Sequence, residues 1–169
     1  WLTFNELNVL RGYAQMGTHS IEPQVHYQAM HHVFVASSLA TKMAHEMMPG
    51  CMVGTMYASS ALYPLTCKPE DMMAQMRTRR LTHYYSDVMM NGCYPYFARM
   101  MWKDNGFTIQ MEDDDEAMLA AYPLDFISIS YYRSTTVNKD SIISPIGLCM
   151  DTNPYLKATP WGWPLDPLG

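Results

Sequence analysis

The sequence predicts an α/β fold in which parallel strands are joined by helical crossovers. Short apolar, β-favouring runs occur at residues 2–6, 51–57 and 125–132. Between them lie long stretches with apolar residues at three- and four-residue steps, the spacing of an amphipathic helix. No internal repeat suggests a solenoid. Strand, helix, strand, helix, strand is an order that demands crossover connections, and these are right-handed within one sheet. Three strands cannot close a barrel or cover their own edges. The rival, a doubly wound nucleotide-binding sheet, wants a Gly-rich turn after the first strand, and Asn5-Glu6-Leu7-Asn8 has none.

The opening run, Leu2-Thr3-Phe4-Asn5-Glu6, is expected to be a buried strand ending on a carboxylate. Parallel α/β proteins collect their chemistry at the carboxyl ends of strands, so Asn5 and Glu6 stand where a site forms. A loop of about fifteen residues then passes Gly12, Gly17 and Ser20, long enough to suggest a site lining. Pro23 suits the first turn of a long helix whose apolar stripe is Val25, Ala29, Val33, Ala36, Ala40, Met43 and Met47. Pro49-Gly50 ends it.

The second strand, residues 51–57, is followed by an irregular Tyr63-Pro64-Leu65-Thr66. A second long helix opens at Pro69-Glu70-Asp71 with two acids on the positive end of its dipole. It runs to Asn91-Gly92, with Met72, Met76, Leu81, Tyr84, Tyr85 and Val88 as its expected buried face. Tyr94-Pro95 begins a short helix that stops at Asn105-Gly106. The acidic run at residues 112–116 reads as the solvated start of a helix over residues 117–121, because cation loops alternate ligands with turn residues. The third strand ends in hydroxyls at Ser130, Tyr131 and Tyr132. Residues 133–152 are polar and loop-like, and residues 153–169, with two Trp and four Pro, suggest an ordered surface loop.

A chain of 169 residues, 49% hydrophobic and 16% charged, can bury a core and is expected to form a single domain or part of one. Net charge is −5 and the eleven Lys and Arg are scattered, which leaves no footprint for nucleic acid. No apolar run is long enough to span a bilayer, so no membrane partner is expected. Cys51, Cys67, Cys93 and Cys149 show no paired spacing and are expected to be free thiols in a reducing cytoplasm. His26, His31 and His32 share a helix without the i, i+4 spacing of a metal pair; they are read as surface or interface histidines, and no metal or cofactor is expected. Seventeen Met suggest a Met-rich core. The ends, Trp1 directly on a strand and Pro167-Leu168-Gly169, suggest a piece of something longer.

Several spaced motifs carry a resemblance. They are Thr3-Phe4-Asn5-Glu6-Leu7-Asn8, His31-His32, Ala36-Ser37-Ser38-Leu39-Ala40, Tyr63-Pro64, Pro69-Glu70-Asp71, Asp87 with Gly92 and Tyr94-Pro95, Asp125-Phe126-Ile127-Ser128-Ile129-Ser130-Tyr131-Tyr132, and Trp161-Gly162-Trp163 with Asp166-Pro167. In this order they resemble glycoside hydrolase family one, and within it the 6-phospho-β-glucosidases. The resemblance implies that residues 1–169 are a single partial domain, a portion of a (β/α)8 TIM barrel holding its fourth, fifth and sixth strands. It implies a retaining hydrolase that acts on a small phosphorylated β-glucoside, in the cytoplasm, in carbohydrate catabolism. Ser130, where members acting on unphosphorylated sugars have Asn, and the residues from Asn153 to Pro167 favour the phosphorylated substrate. The family's phosphate-gripping loop would follow Gly169.

Retaining glycosidases use two carboxyl groups about 5 to 5.5 Å apart, one to protonate the leaving oxygen and one to attack the sugar. By the resemblance Glu6 is the general acid and base, with its pKa raised by the nucleophile. Asn5 binds the sugar 2-hydroxyl, and Tyr132 donates a hydrogen bond to the nucleophile. Trp161 and Trp163 offer an aromatic face to the leaving group or simply pack their loop. The family's nucleophile motif, Thr-Glu-Asn-Gly, does not occur in the chain. Two alternatives therefore stand beside the leading one: a β-glucosidase for unphosphorylated glucosides, and a non-catalytic module. Alone, residues 1–169 are expected to be inactive and to associate with further copies through open strand edges.

Overall fold

A computed structural model of the chain describes the backbone of residues 1–169 and every side chain except those of Tyr13 and Ala14. The strands are β1 (Leu2–Asn5), β2 (Gly54–Pro64) and β3 (Phe126–Val137), and they lie side by side in that order. The helices are α1 (Gly12–Met16), α2 (Pro23–Met47), α3 (Pro69–Asn91), α4 (Ala98–Asn105) and α5 (Asp115–Ala121).

β1 and β2 pair in parallel. β2 and β3 do so too, because the amide of Asp125 donates to Val53 O and that of Leu65 to Val137 O, each at 2.8 Å, so like ends meet. The long helices fall where the periodicity put them. Pro23 occupies the first turn of α2, and Glu70 and Asp71 that of α3. Gly92 follows α3 with φ 65°. A Cβ there would come within 2.5 Å of Leu119 O, so the position needs glycine both for its dihedral and for its closeness to α5.

Several expectations are corrected. Within this chain β1 lies at one side of the sheet and is not dry: Leu2 is half exposed. The loop after it contains a 3-10 turn (Leu7–Val9) and α1. β2 continues through residues 58–64, beyond the reach of β1 and beside β3, where the Leu65 amide still donates to Val137 O, and β3 continues five residues past Tyr132.

The core contains few methionines. Met43, Met47, Met72, Met73 and Met76 are exposed. Nor does the Val25-to-Met47 stripe face inward. The buried face of α2 is the adjacent one, His26, Tyr27, Met30, His31, Phe34, Ser37, Ser38 and Thr41.

The chain divides into two compact units, Trp1–Tyr57 with Tyr84–Ser128, and Ala58–His83 with Ile129–Gly169. The first has an aromatic core. Tyr27, Phe34, Tyr84 and Tyr85 are fully buried and meet edge to face or tilted at 5.3 to 6.4 Å, spacings at which aromatic pairs attract. Burial pushes the Tyr84 and Tyr85 hydroxyls well above the ordinary tyrosine range. In the second unit, Thr135 and Thr136 bond the carbonyls of Asp151 and Thr152, which straps the chain after β3 back onto that strand.

His26 and His31 are therefore core residues and not surface ones; only His32 of the three is exposed. The His26 ring lies 2.9 Å from the Tyr85 hydroxyl. Burial, with the nearby Arg11 charge adding to it, lowers its pKa from 6.5 to about 4. Between those values the unfolded chain binds a proton that the folded one refuses, so stability is complete above pH 6.5 and falls as pH drops towards 4. The loss attributable to this ring is about 3 kcal/mol. Urea unfolding at a series of pH values should show a shallower acid-side decline in His26→Gln than in the parent; parallel curves would reject the assignment.

Candidate active site

The carboxyl end of β1 is irregular in two ways. Leu2 pairs with Gly54 and Asn5 with Met56, so three steps along β1 oppose two along β2, the signature of a bulge. Glu6 then adopts φ 46° and ψ 43°, the only positive φ at a non-glycine residue among those described. A left-handed non-glycine residue costs of order 1 to 3 kcal/mol and persists only where its surroundings over-determine it.

Those surroundings are visible. The Glu6 amide donates to Met56 O at 2.8 Å, and its carbonyl accepts from Val9 at 3.0 Å. Leu7 and Asn8 just beyond are buried. Behind the bulge, Thr55 donates to Phe4 O at 3.0 Å, Thr3 to Gly54 O at 3.2 Å, and Ser37 of α2 to Thr3 Oγ1 at 3.0 Å. Strand, neighbour and helix thus hold a half-buried carboxylate residue at the strand tip, next to exposed Asn5. Such rigid support is what a positioned proton donor requires.

Tyr132 belongs to the second unit, on β3, and is more than half exposed. Its ring centroid lies 5.9 Å from that of Trp163, inclined at 54°. Trp163 reaches this place through a tight hairpin over residues 157–165. In that hairpin Thr159 N donates to Trp163 O and Leu165 N to Lys157 O, each at 2.8 Å, and Ala158 and Pro164 form a bridge. Gly162, at φ 79°, supplies the left-handed turn. Trp161, by contrast, is 84% exposed. The two tryptophans are therefore not equivalent: Trp163 meets the Tyr132 ring, while Trp161 stands mostly in solvent.

Sequence reasoning named Asp166-Pro167 as a motif but gave Asp166 no role. In the structure Ser134, Tyr63 and backbone amides surround its carboxylate and hold it below the usual range, the Ser134 hydroxyl most of all. Pro on either side of Leu165-Asp166, at 164 and 167, was the available signal of a fixed backbone. Among the described residues no group of three or more His, Cys, Asp or Glu is placed to hold a metal ion. Among them, too, no helix is long and apolar enough to cross a membrane.

Comparison with known proteins places this geometry. The chain is 39% identical to a 6-phospho-beta-glucosidase of Clostridium longisporum, 38% to the 6-phospho-beta-glucosidase AscB of Escherichia coli and 37% to the aryl-phospho-beta-D-glucosidase BglH of Bacillus subtilis. Each match takes in the whole chain and 38% of the relative, so the chain spans well under half the length of these curated relatives. Among solved structures, the beta-glucosidase BglU of Micrococcus antarcticus superposes with a TM-score of 0.77 at 25% identity, over 99% of this chain and 40% of that one. The family 1 beta-glucosidase of Thermotoga maritima gives 0.75 at 20% identity, over 99% and 37%. The expected architecture holds: the parallel strands and crossover helices are a portion of a (β/α)8 barrel. The family model for glycosyl hydrolase family 1 matches residues 1–169, and the chain belongs to that family.

Proposed function

We propose that the full-length protein containing this chain is a retaining 6-phospho-β-glucosidase, with Glu6 as general acid and base, Asn5 on the sugar 2-hydroxyl and Tyr132 orienting the nucleophile. The observation that carries the proposal is the strand tip itself, where a glutamate in a strained, well-supported conformation ends a parallel strand of a family 1 barrel. The phosphorylated substrate is favoured by the relatives at 37 to 39% identity, all named for phospho-β-glucosides.

In the reaction, Glu6 would protonate the glycosidic oxygen as its bond to the anomeric carbon breaks, while a second carboxylate takes the sugar. Glu6 would then accept a proton from water as that ester is hydrolysed. A sugar phosphorylated on uptake places the work in the cytoplasm, in carbohydrate catabolism. Residues 1–169 by themselves, with the outer edge of β1 uncovered, would instead associate with further copies.

Hydrolysis of 4-nitrophenyl β-glucoside 6-phosphate by the full-length protein, set beside the unphosphorylated glucoside, tests the substrate assignment. A preference of at least about a hundredfold in kcat/KM is expected, the effect of losing about 3 kcal/mol of charged contacts. Equal rates would move the assignment to an ordinary β-glucosidase. No turnover of either would favour a non-catalytic role.

A further inference from the structure

We propose that Asp166 is a positioning residue: anchored among hydroxyls of β2 and β3, it fixes the 157–165 hairpin so that Trp163 stands beside Tyr132, and it thereby sets how tightly an aromatic leaving group is held. The inference rests on the glycosidase reading above and adds to it a residue that touches neither sugar nor reacting atoms.

The anchor is built from both strands. The Tyr131 hydroxyl donates to Asp166 O at 2.9 Å, and Asp166 Oδ1 accepts from the Leu168 amide at 3.1 Å. Oδ2 is sealed from solvent, as is the hydroxyl of Ser134, a residue with no exposed surface. Neither of these two oxygens has a partner in strict hydrogen-bond geometry, so the Ser134 hydroxyl stands close to the carboxylate without a well-aligned bond. Tyr63 of β2 brings a third hydroxyl to the group. The aligned bonds of the anchor are those of Oδ1 with the Leu168 amide and of the Asp166 carbonyl with Tyr131, and the Ser134 and Tyr63 hydroxyls favour the charge of the carboxylate from beside it.

The hairpin ends one residue before this anchor. Beyond it, a Cβ at Gly169 would run into the Tyr131 hydroxyl and lie 3.1 Å from the side chain of Ala61, so the chain just after Asp166 is pressed onto β2 and β3. Trp163 is three residues away, and its backbone is committed to Thr159 on both edges. Release of Asp166 would therefore let the hairpin pivot as a unit. The ring that meets Tyr132 would move while β3, and with it Tyr132, stays in the sheet.

The test uses the full-length enzyme and two substrates with the same phosphorylated glucosyl group, one with a 4-nitrophenyl and one with a methyl leaving group. In Asp166→Ala, KM for the aryl substrate should rise about fivefold, the size of one lost aromatic contact, with kcat within about twofold and the methyl substrate unchanged. Ser134→Ala should shift the same ratio in the same direction. Equal losses on both substrates, or no change on either, would overturn the proposal.

Acrylamide quenching supplies a readout independent of turnover. The component of tryptophan fluorescence that Trp163→Phe removes should become more accessible in Asp166→Ala, and an unaltered quenching constant would also overturn the proposal. If the parent enzyme hydrolyses neither substrate, the glycosidase reading fails while quenching still decides whether Asp166 holds Trp163.

Discussion

Glu6→Gln in the full-length protein is expected to lower kcat on a phospho-β-glucoside with a poor leaving group by about 10² to 10⁴, the range for loss of a positioned general acid. The amide keeps the size and reach of the carboxyl but has no proton to give. The loss should shrink for leaving groups that depart without protonation, such as dinitrophenol, because the first step then needs no acid. Azide, which attacks the glycosyl intermediate without a base, should recover part of the rate. A Gln variant within tenfold of the parent on the poor leaving group would remove Glu6 from the mechanism.

The backbone at Glu6 adds a second signature. Glycine adopts φ 46° without the Cβ penalty, so Glu6→Gly should be as inactive as Glu6→Gln. It should also be more stable than Glu6→Gln by about 1 kcal/mol, since relieving the left-handed strain stabilises the fold. Stability gained where activity is lost is the pattern expected of a functional site, and urea unfolding of the two variants reads it directly.

The sequence showed the three strands and the long helices, though not where β2 and β3 end, because those depend on local pattern: Pro23 at one helix start, Pro69-Glu70-Asp71 at the other, and dense β-formers at 125–132. It misplaced the inward face of α2 for a physical reason. Counting apolar residues at helical spacing selects Val25, Ala29, Val33 and Met43, but burial follows satisfied polarity as well as apolarity. Ser37 is buried because it donates to Thr3, and Thr41 because it donates to Ser37 O at 2.9 Å. His26 and His31 are buried because tyrosines and a carboxylate from distant segments receive them.

The methionines misled in the same way, since their adaptability suits surfaces as well as cores. Glu6 and Tyr132 could be named from the sequence as candidates. The left-handed turn at Glu6 and the meeting of Tyr132 with Trp163, 31 positions apart, were not, because both are set by pairing between remote segments.

His31→Ala should be among the most destabilising single changes in the first unit, at about 4 kcal/mol. The ring has no exposed surface and stands between two elements that follow α3. Asp115, an acceptor when ionised, takes a hydrogen bond from Nε2 at 2.8 Å, and the Tyr94 hydroxyl meets Nδ1 at 2.7 Å. Asp115 stands in the first turn of α5, where its charge favours the helix dipole and where it also accepts from the Glu112 amide at 2.8 Å. Burial works against this charge, yet the Glu112 and His31 hydrogen bonds prevail and hold the carboxyl below its usual range.

Truncation to Ala removes a buried ring, which by analogy with other large-to-small core changes costs about 3 kcal/mol. It also strands a hydroxyl and a carboxylate that had ordered α5 against α2, adding about 1 kcal/mol after both recover part of their bonding from water and from Glu112. Helix propensity acts in the opposite direction, since Ala is the better helix former, so a loss cannot come from the helix itself. Asp115→Asn, which keeps an acceptor in place, should cost only about 1 kcal/mol. If His31→Ala unfolds in urea at the same midpoint as the parent, the ring does not join α2 to α5.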